Sequence, residues 1–298
     1  MIKPIAFTGG SSEQVLVEII EGMSSGSYHG ERDHESSSTL KTFIKNPREF
    51  WHYRVARDRQ PPVVGYSANI GTAVHAAVLE PDSFTDVIRL APKSVTSGRT
   101  IAFANFQAGL PDECVAICEC DLDRVESMAS AIWANEEAAE IFQSPGFAEA
   151  SLFWKCPQTS VGLKCRFDWV STNGSIADIK CLVDPTPAGF KRAVRRFRYD
   201  ISAALYCRGR NLATGEHADS TRGFRFIVVG NEWPHESVVY RLSERTMQAA
   251  MRTLTQATRE IAELRAELSF DEPWPSRYSN EVFEIDLSYG SEDEEFDL

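Results

Sequence analysis

Apolar residues recur at helical spacing in several stretches of the chain. Ile70, Val74, Ala77 and Val78 share one face of residues 69–80, and Ser67 is placed to cap that helix. Val125, Met128, Ala129, Ile132, Ala139 and Phe142 predict a long helix opening at Asp121 and ending near Ser144-Pro145-Gly146. Met247, Met251, Leu254, Ile261, Leu264 and Leu268 form the stripe of another, capped by Ser243. Ser36 to Thr39 offer N-caps for a helix over 40–46 that stops near Pro47, where a further turn begins. Two more helices are expected over 188–197 and 199–212. Apolar alternation or short apolar runs predict strands over 84–92, 114–120, 149–156, 165–171, 176–183, 223–230 and 237–242. Residues 1 to about 37 are rich in Ser and Gly and read as loop, with a short helix at 14–20. Residues 96–110 read as loop and short helix, and Gln60-Pro61-Pro62 breaks the chain.

This order predicts one α/β domain over 36–275, a mixed central sheet flanked by helices, with the N-terminal helices as an added layer. Residues 1–35 would be a flexible arm and 276–298 a tail. No apolar run is long enough for a membrane span, and the start lacks the basic and apolar regions of a signal peptide, so a cytosolic, reducing setting is expected. Seven cysteines at irregular spacing fit buried free thiols. The trio Cys114, Cys118 and Cys120 lacks a fourth ligand and CxxC spacing.

The net charge of −12 changes the picture only once it is located. Eight of those charges lie in 281–298, which holds no base, a composition that defaults to a solvated tail. Against it stands the run Lys191, Arg192, Arg195, Arg196 and Arg198. Lys191, Arg195 and Arg198 form one helical stripe and Arg192 and Arg196 an adjacent one, a pattern that suits phosphate binding. Lys164 and Arg166 alternate along a strand and are expected to add to the same surface. Phe50, Trp51 and Tyr53 suit either base stacking or core packing.

The chemistry concentrates in residues 165–184, CRFDWVSTNGSIADIKCLVD. Two strands flank the turn residues Thr172-Asn173-Gly174-Ser175, where Asn-Gly is a hairpin signal. On a strand, Asp178 and Lys180 share a face, and the hairpin brings Asp168 opposite them. A D-x-K step at a strand edge is commonly just solvated. Here Ile176, Ala177, Ile179, Trp169 and Val170 make both strands apolar, where charge is costly unless paired or metal-bound. Two carboxylates and an ammonium on one face suit a hard divalent cation with its attacking water, the chemistry of phosphodiester hydrolysis.

Three segments carry a resemblance: 36–53 (SSSTLKTFIKNPREFWHY), 71–84 (GTAVHAAVLEPDSF), and 162–170 with 177–184 and 197–209 (GLKCRFDWV, ADIKCLVD, FRYDISAALYCRG). Together they resemble the PDDEXK nuclease superfamily, and within it the exonuclease VIII (RecE-type) domain of phage and prophage recombination. The resemblance implies a PDDEXK (restriction-endonuclease-like) core. It implies His75, Asp168, Asp178 and the Ile179 carbonyl as ligands for Mg²⁺, with Mn²⁺ an alternative. Lys180 would orient or deprotonate the attacking water, and Glu149 would be an upstream catalytic acid. Tyr206 matches the family's post-site helix and is assigned to DNA, while Ser202 stands where relatives often carry Gln. The implied activity is exonucleolytic hydrolysis at double-stranded DNA ends, 5′-to-3′, by a ring-shaped homo-oligomer working with a RecT-type annealing protein. A repair or defence endonuclease, a flap nuclease and a non-catalytic DNA-binding module are the alternatives. Iron–sulfur members are disfavoured because no cysteine follows Cys207.

Overall fold

The computed structural model describes residues 18–59, 65–217, 220–268, 271–278 and 282–284. In chain order the elements are β1 (Glu18–Ile20), α1 (Ser25–Gly30), α2 (Ser37–Lys45), α3 (Pro47–Trp51), α4 (Tyr66–Leu79), α5 (Phe84–Val87), β2 (Ile88–Ala91), α6 (Ile101–Ala108), β3 (Val115–Cys118), α7 (Leu122–Ala134) and α8 (Glu136–Gln143). They continue with β4 (Gly146–Lys155), β5 (Gly162–Ser171), β6 (Ile176–Leu182), α9 (Pro187–Phe197), α10 (Tyr199–Thr214), β7 (Phe224–Gly230), β8 (Ser237–Tyr240) and α11 (Glu244–Glu267). Six strands form one sheet in the order β1-β4-β5-β6-β7-β8, and β2 and β3 form a small parallel pair. Within the large sheet β6 and β7 run parallel while the other pairs are antiparallel, so the sheet is mixed, as expected. The α9–α10 pair makes the crossover that a parallel β6–β7 pair requires.

Each face of the sheet carries its own core. On one, Leu163, Cys165, Phe167, Phe226 and Val228 pack with Leu40, Phe43, Ile201, Leu205, Met251 and Leu254 from α2, α10 and α11. On the other, Ala177, Ile179, Ile227 and Val229 pack with Val74, Val78, Val125 and Met128 from α4 and α7. The N-terminal helices are therefore not one added layer: α2 joins one face and α4 the other. Phe50 and Trp51 are buried, which decides for core packing over base stacking.

Several element boundaries differ from the sequence reading. The Ser36 cap forms, as a capping box with Thr39. Helix α4 starts at Tyr66 behind Gly65, two residues before a Ser67 cap would allow. The strand expected over 84–92 is one turn of helix followed by β2. The long helix after Asp121 breaks at Asn135, whose side chain caps α8.

The segment read as a flexible arm is folded where it is described. Glu18 to Ile20 pair with β4 as a strand rather than a helix. Lys164, expected on a DNA surface, is 4 % exposed. Its ammonium donates to the carbonyls of Tyr28 and Glu31, both at 2.6 Å. Arg166 likewise donates to the Met23 carbonyl at 2.9 Å. Both cations hold the N-terminal segment down, so the alternating pattern marked an interior seam. The rest of the predicted 14–20 helix, the Gln60-Pro61-Pro62 break and nearly all of the acidic tail lie outside the described residues.

Candidate active site

The site forms where the sheet comes apart around Asp168. Strand β5 pairs with β4 on both sides of the Asp168–Glu149 position, with Ala148 opposite Trp169 and Ala150 opposite Phe167, but that position itself is unpaired. On its other edge β5 pairs with β6 only at Trp169–Ala177 and Val170–Ile176, so the next position, Asp168 opposite Asp178, is also open. The Asn173-Gly174 turn closes this hairpin, with Gly174 at φ +83°, as its residue type requires. Beyond it the strands part, and Asp168 Oδ2 accepts the Ile179 N–H at 2.7 Å in place of a ladder partner. Glu149 sits in mid-strand at φ +50°, a left-handed conformation that costs a non-glycine residue about 1–3 kcal/mol and is held only by its surroundings.

Side chains from both faces meet in this opening. From α4, His75 Nε2 lies 3.1 Å from the Ile179 carbonyl and Nδ1 lies 3.5 Å from Asp168 Oδ2. Lys180 Nζ donates to the Ile179 carbonyl at 3.0 Å and stands 2.5 Å from Asp178 Oδ2. His75, Glu149 and Asp168 each offer an atom within 4.8 Å of the other two. Of the metal set implied by resemblance, His75 and Asp168 stand together here. Glu149 joins His75 and Asp168, while the Asp178 carboxylate turns to Lys180. Glu149 is also engaged by Arg166 Nε at 2.5 Å.

Burial sets the electrostatics. The Asp168 carboxyl is pushed up to about 7 by burial and then by the Asp178 charge. Glu149 is raised by burial and by Asp168. His75 is pulled down by burial and by Lys180, so its imidazole is neutral and able to ligate. For Lys180 burial works against the charge, but Asp178 and Asp168 outweigh it and hold the ammonium above the ordinary lysine range.

These residues fit a divalent cation. Asp178 Oδ2 is buried, and its one partner among the described residues is the Lys180 ammonium at 2.5 Å. The Nδ1 of a neutral His75 faces Asp168 Oδ2, an approach that calls for a proton or a cation between them. Carboxylates, a carbonyl and one imidazole suit Mg²⁺ or Mn²⁺. A second trio, Cys118, Cys120 and Asp121, also lies within 4.8 Å. There Asp121 already takes the Tyr66 hydroxyl and Arg124, and no fourth ligand joins the trio among the described residues. All seven cysteines are free.

The basic helix α9 buries Phe190, Ala193 and Val194 and exposes Lys191, Arg192, Arg195 and Arg196. Arg192 is paired with Asp184 at 2.7 Å and Arg198 with Asp200 at 3.0 Å, which leaves Lys191, Arg195 and Arg196 without an ion pair among the described residues. Tyr206, assigned to DNA from sequence, packs edge-on to Phe167 at 5.7 Å as part of the core's flank. Two residues at the site went unread in the sequence. The Tyr199 ring lies 5.4 Å from Lys180 Nζ, and Lys41 of α2 reaches Ser202 at 2.7 Å. No local pattern links positions 161 apart in the chain.

A family model described as a PDDEXK-like domain of unknown function (DUF3799) matches residues 36–277. A crystal structure of a candidate exonuclease from Eubacterium rectale is similar, with a TM-score of 0.59 and 14 % identity, over 89 % of this chain and 96 % of that one. At that identity the likeness bears on the fold alone. No curated protein matches.

Proposed function

The chain belongs to the PDDEXK-like domain family, and from that premise we propose that it is a divalent-metal-dependent deoxyribonuclease that hydrolyses DNA from double-stranded ends. The observation that carries this reading is the double interruption of the sheet at Asp168, which gathers His75, Glu149, Asp168, Asp178 and Lys180 around one opening. A divalent cation bound there supplies Lewis-acid polarisation of the phosphate and acidification of a water. His75, Asp168, Glu149, Asp178 and the Ile179 carbonyl are the groups available to hold it. Lys180 stays protonated beside Asp178, so it suits orienting the water and stabilising charge at phosphorus better than accepting a proton. Lys191, Arg195 and Arg196 offer cations for the flanking backbone.

Exonuclease action finds support in the fold shared with the candidate exonuclease. The 5′-to-3′ polarity, the ring assembly, the RecT-type partner and a RecE-type role in recombination rest on the sequence resemblance. The test is digestion of linear and closed-circular duplex DNA with Mg²⁺ or Mn²⁺, wild type against Lys180→Ala. Loss of linear DNA alone is expected, with the substitution slowing it by at least about 100-fold. Nicking of circles would assign the protein to the endonucleases. Binding without any cleavage would make it a DNA-binding module.

A further inference from the structure

A second ammonium besides Lys180 lies close to Asp178. Lys41 projects from α2 between the buried Leu40 and Phe43, on the side of the helix that packs against α10. Its Nζ donates to Ser202 Oγ at 2.7 Å, and Ser202 is itself 6 % exposed. Lys41 and Lys180 share the Tyr199 ring, at 5.8 and 5.4 Å from its centre. Two amines carried by different elements thus converge beside Asp178.

The charges around Lys41 are otherwise spoken for. Its charged neighbours are Lys180, Asp178, Asp200 and Arg198. Asp178 is engaged by Lys180, and Asp200 takes both arms of Arg198 at 3.0 Å. Among the described residues Lys41 is left with a neutral hydroxyl for one of its three donors and no carboxylate of its own. Burial, then repulsion from Lys180, pulls its ammonium down to about 8, as befits a cation short of an anion. A half-buried ammonium in that position is costly unless an anion arrives to complete it.

We propose that Lys41, seated by Ser202, is a phosphate-binding residue of this site that engages the DNA backbone brought to Asp178 and Lys180. The inference rests on the nuclease reading and adds to it a contact supplied by the N-terminal helix α2. A backbone phosphate supplies the anion that Lys41 lacks, and the charge pairs already present stay intact.

The test measures binding of an end-labelled DNA duplex in EDTA across a range of NaCl concentrations, alongside digestion of the same duplex with Mg²⁺. Wild type is compared with Lys41→Met, Lys41→Gln, Lys41→Arg and Ser202→Ala, each checked for an unchanged melting transition. Lys41→Met and Lys41→Gln should weaken binding by about tenfold or more, the scale of one charged hydrogen bond. They should also reduce the slope of log affinity against log salt by about 0.9, the signature of one lost phosphate contact. Lys41→Arg should restore the slope. Ser202→Ala should weaken binding less and leave the slope unchanged, since it loosens the seat and keeps the charge. If Lys41→Met melts early, Lys41→Gln, which can still donate to Ser202, carries the comparison. A folded neutral variant that binds with wild-type affinity and slope overturns the proposal while the wild type still cuts DNA. A wild type that neither binds nor cuts duplex DNA removes the nuclease reading, and this proposal with it.

Discussion

Asp168 is the residue whose protonation the site must manage. A carboxyl whose folded value lies above its unfolded one holds extra protons in the folded state. The stability this gives is complete below the ordinary aspartate range and is lost as pH rises through about 7. The metal-free protein is therefore expected to lose stability between about pH 4 and 7 on this group. A cation that replaces the proton restores it. Thermal melts with and without Mg²⁺ or Mn²⁺ should show a rise of about 5 °C above pH 7 at roughly a hundred times Kd, and far less near pH 5. A shift of equal size at both pH values would mean that Asp168 does not hold the metal. Residue by residue, Asp168, Asp178, Lys180 and His75 were legible because they lie in short motifs. Lys41 was not, because its role comes from a contact to Ser202 on a helix far along the chain. The Glu149 backbone conformation was not legible either, since it occurs at the unpaired position opposite Asp168 on another strand.

At the scale of elements, the site depends on how closely α10 sits against the sheet. Gly209 makes that approach possible: a Cβ there would stand 2.7 Å from Leu152 Cδ2 and 2.8 Å from the Trp154 ring, both on β4. Gly209→Ala should therefore destabilise the fold by about 1–3 kcal/mol in urea unfolding, the usual cost of overpacking. An unchanged midpoint would show that β4 yields without penalty. Element types were mostly readable from periodicity, and the strands around the site were placed by alternation and by the Asn173-Gly174 turn. The misreadings occurred where a side chain or a neighbour overruled the pattern, as with the Asn135 cap that splits α7 from α8. Lys191, Arg192, Arg195 and Arg196 lie on the exposed face of α9, but the pairing of Arg192 with Asp184 needed the loop after β6 to be in place.

For the whole molecule, Glu35 ties three distant parts together. It is fully buried and meets Arg54 at 2.9 Å and Arg265 at 2.8 Å. Its backbone pairs with the start of β5 through the Gly162 carbonyl and the Lys164 N–H. Glu35→Gln leaves two guanidiniums facing an uncharged group and should cost about 3–5 kcal/mol, read from chemical denaturation. Limited proteolysis should then cut preferentially within 20–35. A loss below about 1 kcal/mol would place the hold on this segment in the backbone pairing and the Lys164 contacts instead. Among the described residues no helix is long and apolar enough to cross a membrane.

Sequence alone carried the α/β class, the mixed sheet, the hairpin and the D-x-K step, because each is local: hydrophobic periodicity, turn chemistry and i, i+2 geometry act over a few residues. It also marked His75, through the run in which it stands. What needed the folded chain was every decision made across distance. Whether Lys164 and Arg166 face solvent depended on a segment more than 130 residues upstream. Which carboxylates face one another depended on where two ladders stop. The second amine at the site depended on α2 packing against α10. Charge and burial act through space, so a linear pattern fixes them only where the chain neighbours are also the spatial ones.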